Sequence, residues 1–297
     1  MAKNRVSDTH KNKPELPVPK GKLLAIGGHE DKGKDDLSEE QLRNLEFRKE
    51  EILKRFVKEL SGNEPLILIV PTASKEPDIV SKEYLKVFHE LGEKNVQILN
   101  IRERADAKNE KNCALIKQAA GIMITGGDQL RLTSILGGSK ALELMKERFT
   151  YDNFIIAGTS AGAAAMSTPM IYEGETQGGY IKGDVRITTG LEFLKNVAID
   201  THFIQRGRII RMAQAIATNP GCIGIGLEED TAILVTEGKN VEVIGSGLVT
   251  IIDGMDISST NIYEIKTGEP FSVCDLKVHL LSCDKRYVIP TYDQLHL

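Results

Sequence analysis

The chain lacks several features that would place it in a familiar class. It has no tryptophan, and its four cysteines show no C-x-x-C spacing, which argues against a zinc ribbon or a disulfide framework. No apolar run approaches the ~20 residues of a membrane-spanning helix. Basic residues are not in excess, since the net charge is −4 over 297 residues. We therefore expect neither a membrane nor a nucleic acid as partner.

The N-terminal segment also lacks an apolar core. Residues 1–22 are polar and lysine-rich with three prolines, unlike a secretory signal. We expect residues 1–20 to form a flexible tail and residues 21–297 to form a single α/β domain. Without an export signal, reduced thiols in the cytoplasm are the default expectation.

Strand-like apolar runs alternate with amphipathic helical stretches in the first half of the chain. The runs are Leu23–Ile26, Leu66–Val70, Val96–Ile101, Gly121–Thr125 and Phe154–Ala157. Helical spacing occupies residues 37–60, 75–92, 108–119 and 129–147. This alternation predicts a three-layer α/β fold, with a mostly parallel sheet between two layers of helices.

The pattern of apolar residues changes after about residue 222. Short alternating runs predict antiparallel strands that finish the sheet or lie at its edge; they are Cys222–Leu227, Thr231–Val235, Val241–Gly245, Gly247–Asp253, Asn261–Ile265 and Lys277–Leu281. In a parallel sheet, ligands bind beyond the carboxyl ends of the strands. The turns that follow the earlier strands should therefore line one crevice.

One of these turns carries the G-x-S-x-G pattern. Gly158-Thr159-Ser160-Ala161-Gly162 follows an apolar strand and precedes an alanine-rich stretch, the strand–turn–helix setting in which the pattern is meaningful. This setting exposes the serine hydroxyl next to the free N–H groups at the start of a helix. Ser160 is therefore our candidate nucleophile.

A serine nucleophile needs a base, usually histidine, and a group that orients the base. Of six histidines, His202 is the better candidate, because an apolar strand leads into it and a dense polar patch follows; His29, after the first strand, is the second. The acid remains open between Glu228, Glu229 and Asp230, which follow a strand, and Glu173 and Glu175, which lie between serine and histidine.

Two further groups of residues fit a hydrolytic site. The oxyanion donors would be the amide of Ala161 and that of Gly127 or Asp128, in the turn after the neighbouring strand. Arg206, Arg208 and Arg211 cluster beside His202 in an acidic protein. Arginine binds carboxylates in a bidentate fork, so this cluster predicts a substrate with a free carboxylate.

These segments together resemble the cyanophycinase family of serine peptidases, which also contains the bacterial aspartyl dipeptidase. The matching pieces are 27–32, 126–130, 158–163, 200–208 and 226–231, in family order. The H-F-x-Q-R-G-R stretch at 202–208 is far more specific than the serine pentapeptide. The resemblance implies a class I glutamine-amidotransferase-like fold, a homodimer, and no metal or cofactor.

The resemblance also implies roles for individual residues. Ser160 would be the nucleophile, His202 the base and Glu229 the orienting acid, with Glu175 as the alternative acid. The substrate site would be lined by Gln129, Asp200, Thr201, Arg206, Arg208 and Arg211. The implied reaction is exo-hydrolysis of cyanophycin, a poly-aspartate that carries arginine on each β-carboxyl, to β-Asp-Arg dipeptides. An aspartyl or isoaspartyl dipeptidase and a non-catalytic anion-binding protein are the alternatives.

Overall fold

The structure is a computed structural model that describes residues 17–33, 37, 39–174 and 178–290. The helices of these residues are α1 (Glu39–Arg43), α2 (Glu51–Lys58), α3 (Pro77–Glu90), α4 (Glu110–Gln118), α5 (Gln129–Leu136), α6 (Lys140–Tyr151), α7 (Ala161–Ala165) and α8 (Ile209–Thr218). The strands are β1 (Lys22–Ile26), β2 (Ile67–Val70), β3 (Val96–Ile98), β4 (Gly121–Ile124), β5 (Ile155–Thr159), β6 (Ser167–Thr168), β7 (Met170–Glu173), β8 (Arg186–Thr188), β9 (Leu194–Lys195), β10 (Val197–Thr201), β11 (Ile223–Leu227), β12 (Thr231–Thr236), β13 (Asn240–Gly245), β14 (Val249–Asp253), β15 (Ser259–Thr260), β16 (Val273–Cys274), β17 (Lys277–Leu281) and β18 (Arg286–Val288).

The larger sheet confirms the predicted fold class. Its strand order is β18-β13-β12-β1-β5-β4-β2-β3. The five strands from β1 to β3 in this order run parallel, and β12, β13 and β18 extend the sheet antiparallel. β2 and β4 are apolar and buried along their whole length because helices cover both of their faces, whereas β3, at the edge of the sheet, is exposed at two of its three residues.

Each face of this sheet has its own apolar layer. On one face, α2 and α3 contribute Ile52, Phe56, Tyr84 and Phe88 to a core with β1, β2 and β5. On the other face, residues of α4 to α7 pack against the sheet together with residues of a second sheet. The sheet is thus covered on both sides, as the alternating pattern predicts.

The second sheet is the main difference from the sequence-based expectation. Its order is β17-β14-β11-β10-β6-β9. β11, expected to finish the first sheet, instead pairs parallel with β10, and β14 and β17 extend this pairing antiparallel. Helix α8 covers the outer face of the sheet through Met212, Ala215 and Ile216.

Three predicted elements have different bounds. The stretch 37–60 contains two helices, α1 and α2, separated by turns at residues 44–50, and Glu50, directly before α2, has left-handed backbone (φ 57°). Residues 129–147 are divided at Gly137-Gly138, and Ser139 caps α6 by accepting from the amide of Leu142. Residues 261–265 form turns rather than a strand.

At the N-terminus, residues 1–16 of the expected tail lie outside the described part of the chain. The amides of Lys20 and Gly21 donate to the carbonyls of Thr150 and Phe149, at the end of α6. The division into residues 1–20 and 21–297 stays a prediction. Within the described ranges, no helix is both long enough and apolar enough to cross a membrane.

Candidate active site

Three strands of the two sheets end at one place. β5 ends at Thr159, β10 at Thr201 and β11 at Leu227. The residues that follow β5 and β10, Ser160 and His202, have positive φ values of 51° and 49°. Such backbone is strained for a residue with a side chain and places the side chain outside the regular elements. Carboxyl ends of parallel strands are where α/β proteins bind ligands.

The three predicted residues form a continuous hydrogen-bonded chain. The Oγ of Ser160 lies 3.0 Å from Nε2 of His202. Nδ1 of His202 lies 2.6 Å from Oε1 of Glu229. An imidazole with a carboxylate at Nδ1 and a hydroxyl at Nε2 is set up to take the hydroxyl proton.

His202 is held as a neutral base. Its side chain is only 6% exposed, and burial is the strongest influence that lowers its pKa below the ordinary value of 6.5. The hydrogen bond that His202 donates to Glu229 raises the pKa, whereas the positive charge of Arg206 lowers it further. Because the lowering effects prevail, the imidazole is free of its second proton at neutral pH.

His29, the second candidate base, stands beside the first. Its ring lies edge-on to that of His202, with 5.4 Å between centroids, and its Nε2 is 3.8 Å from Oε1 of Glu229. Donor atoms of His29, His202 and Glu229 lie within 4.8 Å of one another, so these residues could hold a metal ion. Such an ion would compete with the hydrogen bonds of His202 to Ser160 and Glu229.

A glycine permits the position of His202. Gly28 has φ 104°, and a Cβ built on it would lie 2.5 Å from Cε1 of the His202 ring. Any side chain at position 28 would therefore displace the imidazole.

The predicted oxyanion turn lies next to the serine. A Cβ placed on Gly126 would be 3.9 Å from Oγ of Ser160. The amide of Asp128 donates to the carbonyl of Ala73 at 2.9 Å, so it is not available to a ligand as the sequence analysis allowed. The Asp128 side chain caps α5 instead. For the amides of Gly127 and Ala161, no acceptor is found among the described residues.

The arginine cluster divides into exposed and buried members. Arg211 is 5% exposed, and its Nε and Nη2 atoms lie 2.6 and 2.5 Å from the carboxylate of Asp200. Arg208 donates to the same carboxylate at 2.9 Å, and burial lowers its pKa. Arg206 is exposed.

Three residues expected at the substrate site are buried in this arrangement. Asp200, Thr201 and Arg211 were expected to line the substrate site, but all three are buried. Asp200 also accepts from the amide of Thr201, so its oxygens are occupied by the protein itself. Buried polar groups of this kind are normally paired within the protein, and the substrate-binding role of these three residues stays a prediction.

Two cavities adjoin these residues. One of about 660 Å³ is lined by Gly127, Gln129 and seven further residues: Ser74, Lys75, Glu76, Asp128, Leu130, Tyr172 and Glu173. Gln129 is held there by a bond from its Nε2 to the carbonyl of Tyr172. The other cavity, of about 440 Å³, is lined on the side of the active site by His29, Glu228, Glu229 and Asp230.

Glu173 and Glu175 were the candidate acids that lie between the serine and the histidine in the sequence. Glu173 lines the first cavity and pairs with Arg186 at 3.3 Å, and Glu175 lies outside the described residues. Lys75, Glu76 and Tyr172 also line this cavity, and no sequence motif singles them out. Only the end of the preceding strand, β2, indicated that positions 71–76 would lie near the crevice.

Comparison with known proteins relates this site to characterised chains. Residues 41–244 match the model of Peptidase family S51. A cyanophycinase from Synechococcus elongatus is 35% identical over 277 residues, covering 93% of this chain and 82% of that protein. A cyanophycinase from Geminocystis herdmanii is 33% identical over 273 residues, covering 92% and 95%.

A solved structure shares the fold. The crystal structure of a peptidase from an acI-B1 Actinobacterium aligns with a TM-score of 0.64 at 20% identity, covering 92% of this chain and 98% of that one. The family match extends over more than half of the chain, and the relatives cover nearly all of it. The chain is a peptidase and belongs to Peptidase family S51.

Proposed function

We propose that this peptidase hydrolyses cyanophycin from one end of the polymer and releases β-Asp-Arg dipeptides. One observation carries the proposal. This chain is 35% identical to a cyanophycinase along 93% of its length, and its Ser160, His202 and Glu229 form one hydrogen-bonded series.

Each step of the proposed reaction can be carried out by a residue of the site. Ser160 Oγ attacks a backbone carbonyl of the polymer while its proton passes to Nε2 of His202, and Glu229 stabilises the resulting imidazolium. The amides of Ala161 and Gly127 receive the charge on the carbonyl oxygen. His202 then gives the proton to the departing amine, and water hydrolyses the acyl-enzyme.

Charges around the site suit a substrate that carries both carboxylate and guanidinium groups. Arg206 and Arg208 would receive the free carboxylate at the polymer end, since they are the less buried members of the cluster. Glu76 and Glu173 in the larger cavity and Glu228 in the smaller one would receive guanidinium groups. If Arg206→Ala and Arg208→Ala left the rate and the dipeptide product unchanged, the carboxylate assignment would be wrong.

The deciding experiment is incubation with purified cyanophycin, followed by mass analysis of the products. We expect β-Asp-Arg from the wild type, none from Ser160→Ala, and full yield from Ser134→Ala, a control serine on the exposed side of α5. Cleavage of short Asp-Xaa peptides without cleavage of the polymer would instead indicate a dipeptidase. Absence of Ser160 labelling by a fluorophosphonate would indicate a non-catalytic binding protein.

We also propose a homodimer that works in the cytoplasm. All four cysteines are free, which suits a reducing compartment. The edge strands β17 and β18 expose Val278, Leu280 and Val288, at 47%, 61% and 51%. Unpaired edges with apolar side chains favour association. Light scattering of the purified protein tests the dimer, and Leu280→Lys should weaken it.

A further inference from the structure

The end of β1 and the two residues that follow it are hydrogen-bonded to all three parts of the candidate active site. The carbonyl of Ile26 accepts from the amide of Ser160 at 2.9 Å, and that of Gly27 accepts from the amide of His202 at 3.1 Å. The carbonyl of Gly28 accepts from the amide of Asp230, next to Glu229, at 2.9 Å. Residues 26–28 therefore hold together three loops that are distant in the sequence.

The next residue but one, Glu30, turns its carboxylate into the protein beneath the serine. Its side chain is 1% exposed. Oε2 accepts from Oγ1 of Thr159, the residue before Ser160, at 2.7 Å, and Oε1 accepts from the hydroxyl of Tyr84. Nζ of Lys32 lies 3.8 Å from Oε1 and 4.5 Å from the centroid of the Tyr84 ring.

Burial of the Glu30 carboxylate costs free energy that other contacts must offset. Burying a carboxylate is unfavourable and requires partners for both oxygens. Tyr84 is a dependable partner, since burial and then the charge of Glu30 raise its pKa well above 10 and keep its proton in place. The turn that Glu30 supports is itself strained, with φ 51° and ψ −116° at Ser160. Strained backbone persists only where surrounding contacts determine it.

We propose that Glu30 is a positioning residue for the reaction: it fixes Thr159 and thereby the turn on which Ser160 Oγ faces Nε2 of His202. It touches neither substrate nor the reacting atoms. This inference depends on the proposed role of Ser160 as nucleophile. Loss of the Glu30–Thr159 bond would let the serine move away from the imidazole, and a displacement of ~1 Å can cost ~100-fold in rate.

Thr159→Val is the sharpest variant, because valine keeps the shape of threonine and removes only the hydroxyl. We expect kcat to fall about tenfold or more with KM within about twofold, and fluorophosphonate labelling of Ser160 to slow in proportion. Thr159→Ser retains the hydroxyl and should restore the wild-type rates. Glu30→Gln replaces one carboxylate oxygen with an NH2 donor, so one of the two hydroxyls must accept instead of donate, and its kcat should lie between those of the wild type and Thr159→Val.

The matched control is Glu83→Gln. Glu83 also pairs with Lys32, at 3.4 Å, but it is 41% exposed and has no contact with Thr159, so its kcat should equal that of the wild type. Full kcat in folded Thr159→Val, with melting temperature unchanged, would overturn the proposal. So would a loss of activity that only follows the unfolded fraction. Neither result bears on Ser160 as nucleophile, which wild-type labelling and Ser160→Ala test separately.

Discussion

At the scale of single residues, the site depends on backbone conformations that side chains normally avoid. His29, Ser160, His202 and Asp230 all have φ between 47° and 51°. Each lies directly beyond or near the end of a strand, where the chain must turn sharply to aim a side chain into the crevice. This concentration of strain is typical of functional sites.

The charge of Arg206 should contribute, after burial, to the acid limit of activity. Since Arg206 lowers the pKa of His202, removing the charge raises that pKa, so protonation inactivates the base at a higher pH. We expect Arg206→Gln to move the acid limb of fluorophosphonate labelling toward higher pH. This small reagent separates the effect from substrate binding. Arg48→Gln, which alters an exposed arginine paired with Glu51, should leave the limb in place.

An alanine at position 28 should damage the site more than the fold. Gly28 and Gly62 share a φ of 104°, so alanine carries the same backbone penalty at both positions. At Gly62, however, nothing lies within 4 Å of the new Cβ, whereas at Gly28 it meets the His202 ring. We expect Gly28→Ala to lower the melting temperature at least as much as Gly62→Ala does, and we expect a fall in kcat of ~100-fold for Gly28→Ala alone. Equal kcat values in the two variants would contradict this interpretation.

Sequence patterns identified the candidate catalytic residues better than they identified which groups hydrogen-bond to each other around the site. Ser160 and His202 stand in motifs whose setting, a strand followed by a turn, can be recognised locally. The pairing of Asp200 with Arg211 could not be foreseen, because it depends on how far α8 packs into the core. The same holds for the amide of Asp128, whose acceptor, the Ala73 carbonyl, belongs to another loop.

At the scale of elements, helix breaks were harder to predict than helix positions. Helical spacing continued through residues 129–147, yet Gly137-Gly138 and the Ser139 cap end one helix and begin the next. Apolar periodicity reports which face is buried, and two successive helices can present the same face. Capping residues carry the information on where a helix ends.

Arg148 of α6 should be important for stability because it donates hydrogen bonds to the C-terminal carbonyls of a second helix, α4. Its Nη1 donates to the carbonyls of Ile116, Lys117 and Ala119 at the end of α4, at 2.6–3.0 Å. Its guanidinium also lies 5.0 Å from the Phe154 ring centroid. Arg148→Met keeps the apolar stem but leaves these carbonyls unpaired, so we expect a loss of about 2 kcal/mol or more in urea unfolding.

The control for this variant lies on the same helix. Lys140 pairs with Glu143 at the exposed start of α6, and Lys140→Met should change the free energy of unfolding far less. An effect of similar size in both variants would show that the Arg148 bonds add little.

At the scale of the whole molecule, local patterns gave the class of fold but not the assignment of strands to sheets. β11, β12 and β14 are all short apolar strands, yet β12 joins the first sheet beside β1 and the others join the second. The choice is set by contacts across the shared core, where β10 and β11 pack against helices of the first sheet. Such contacts connect residues far apart in sequence, and periodicity does not record them.

A network of ion pairs across the first sheet should make stability fall in acid. Arg55 on α2 donates to Glu242 on β13 at 2.8 and 2.9 Å and to Glu59 at 2.6 Å. Its hydrogen bond lowers the pKa of Glu242 despite burial. For Glu59, burial alone would raise the pKa, but the bonds from Lys22 and Arg55 prevail and lower it.

Carboxylates with a lowered pKa in the folded state stabilise the protein above their ordinary pKa, and this stabilisation is lost as pH falls through the lowered value. We therefore expect the free energy of unfolding in urea to fall as the pH drops below the ordinary glutamate pKa of 4.5 toward the lowered values, and to fall less steeply in Arg55→Met. Arg48→Met, on an exposed neighbouring arginine, should keep the wild-type slope. Parallel pH curves for all three proteins would mean that other carboxylates govern acid unfolding, because only loss of the Arg55 bonds brings the pKa of Glu242 back toward its ordinary value.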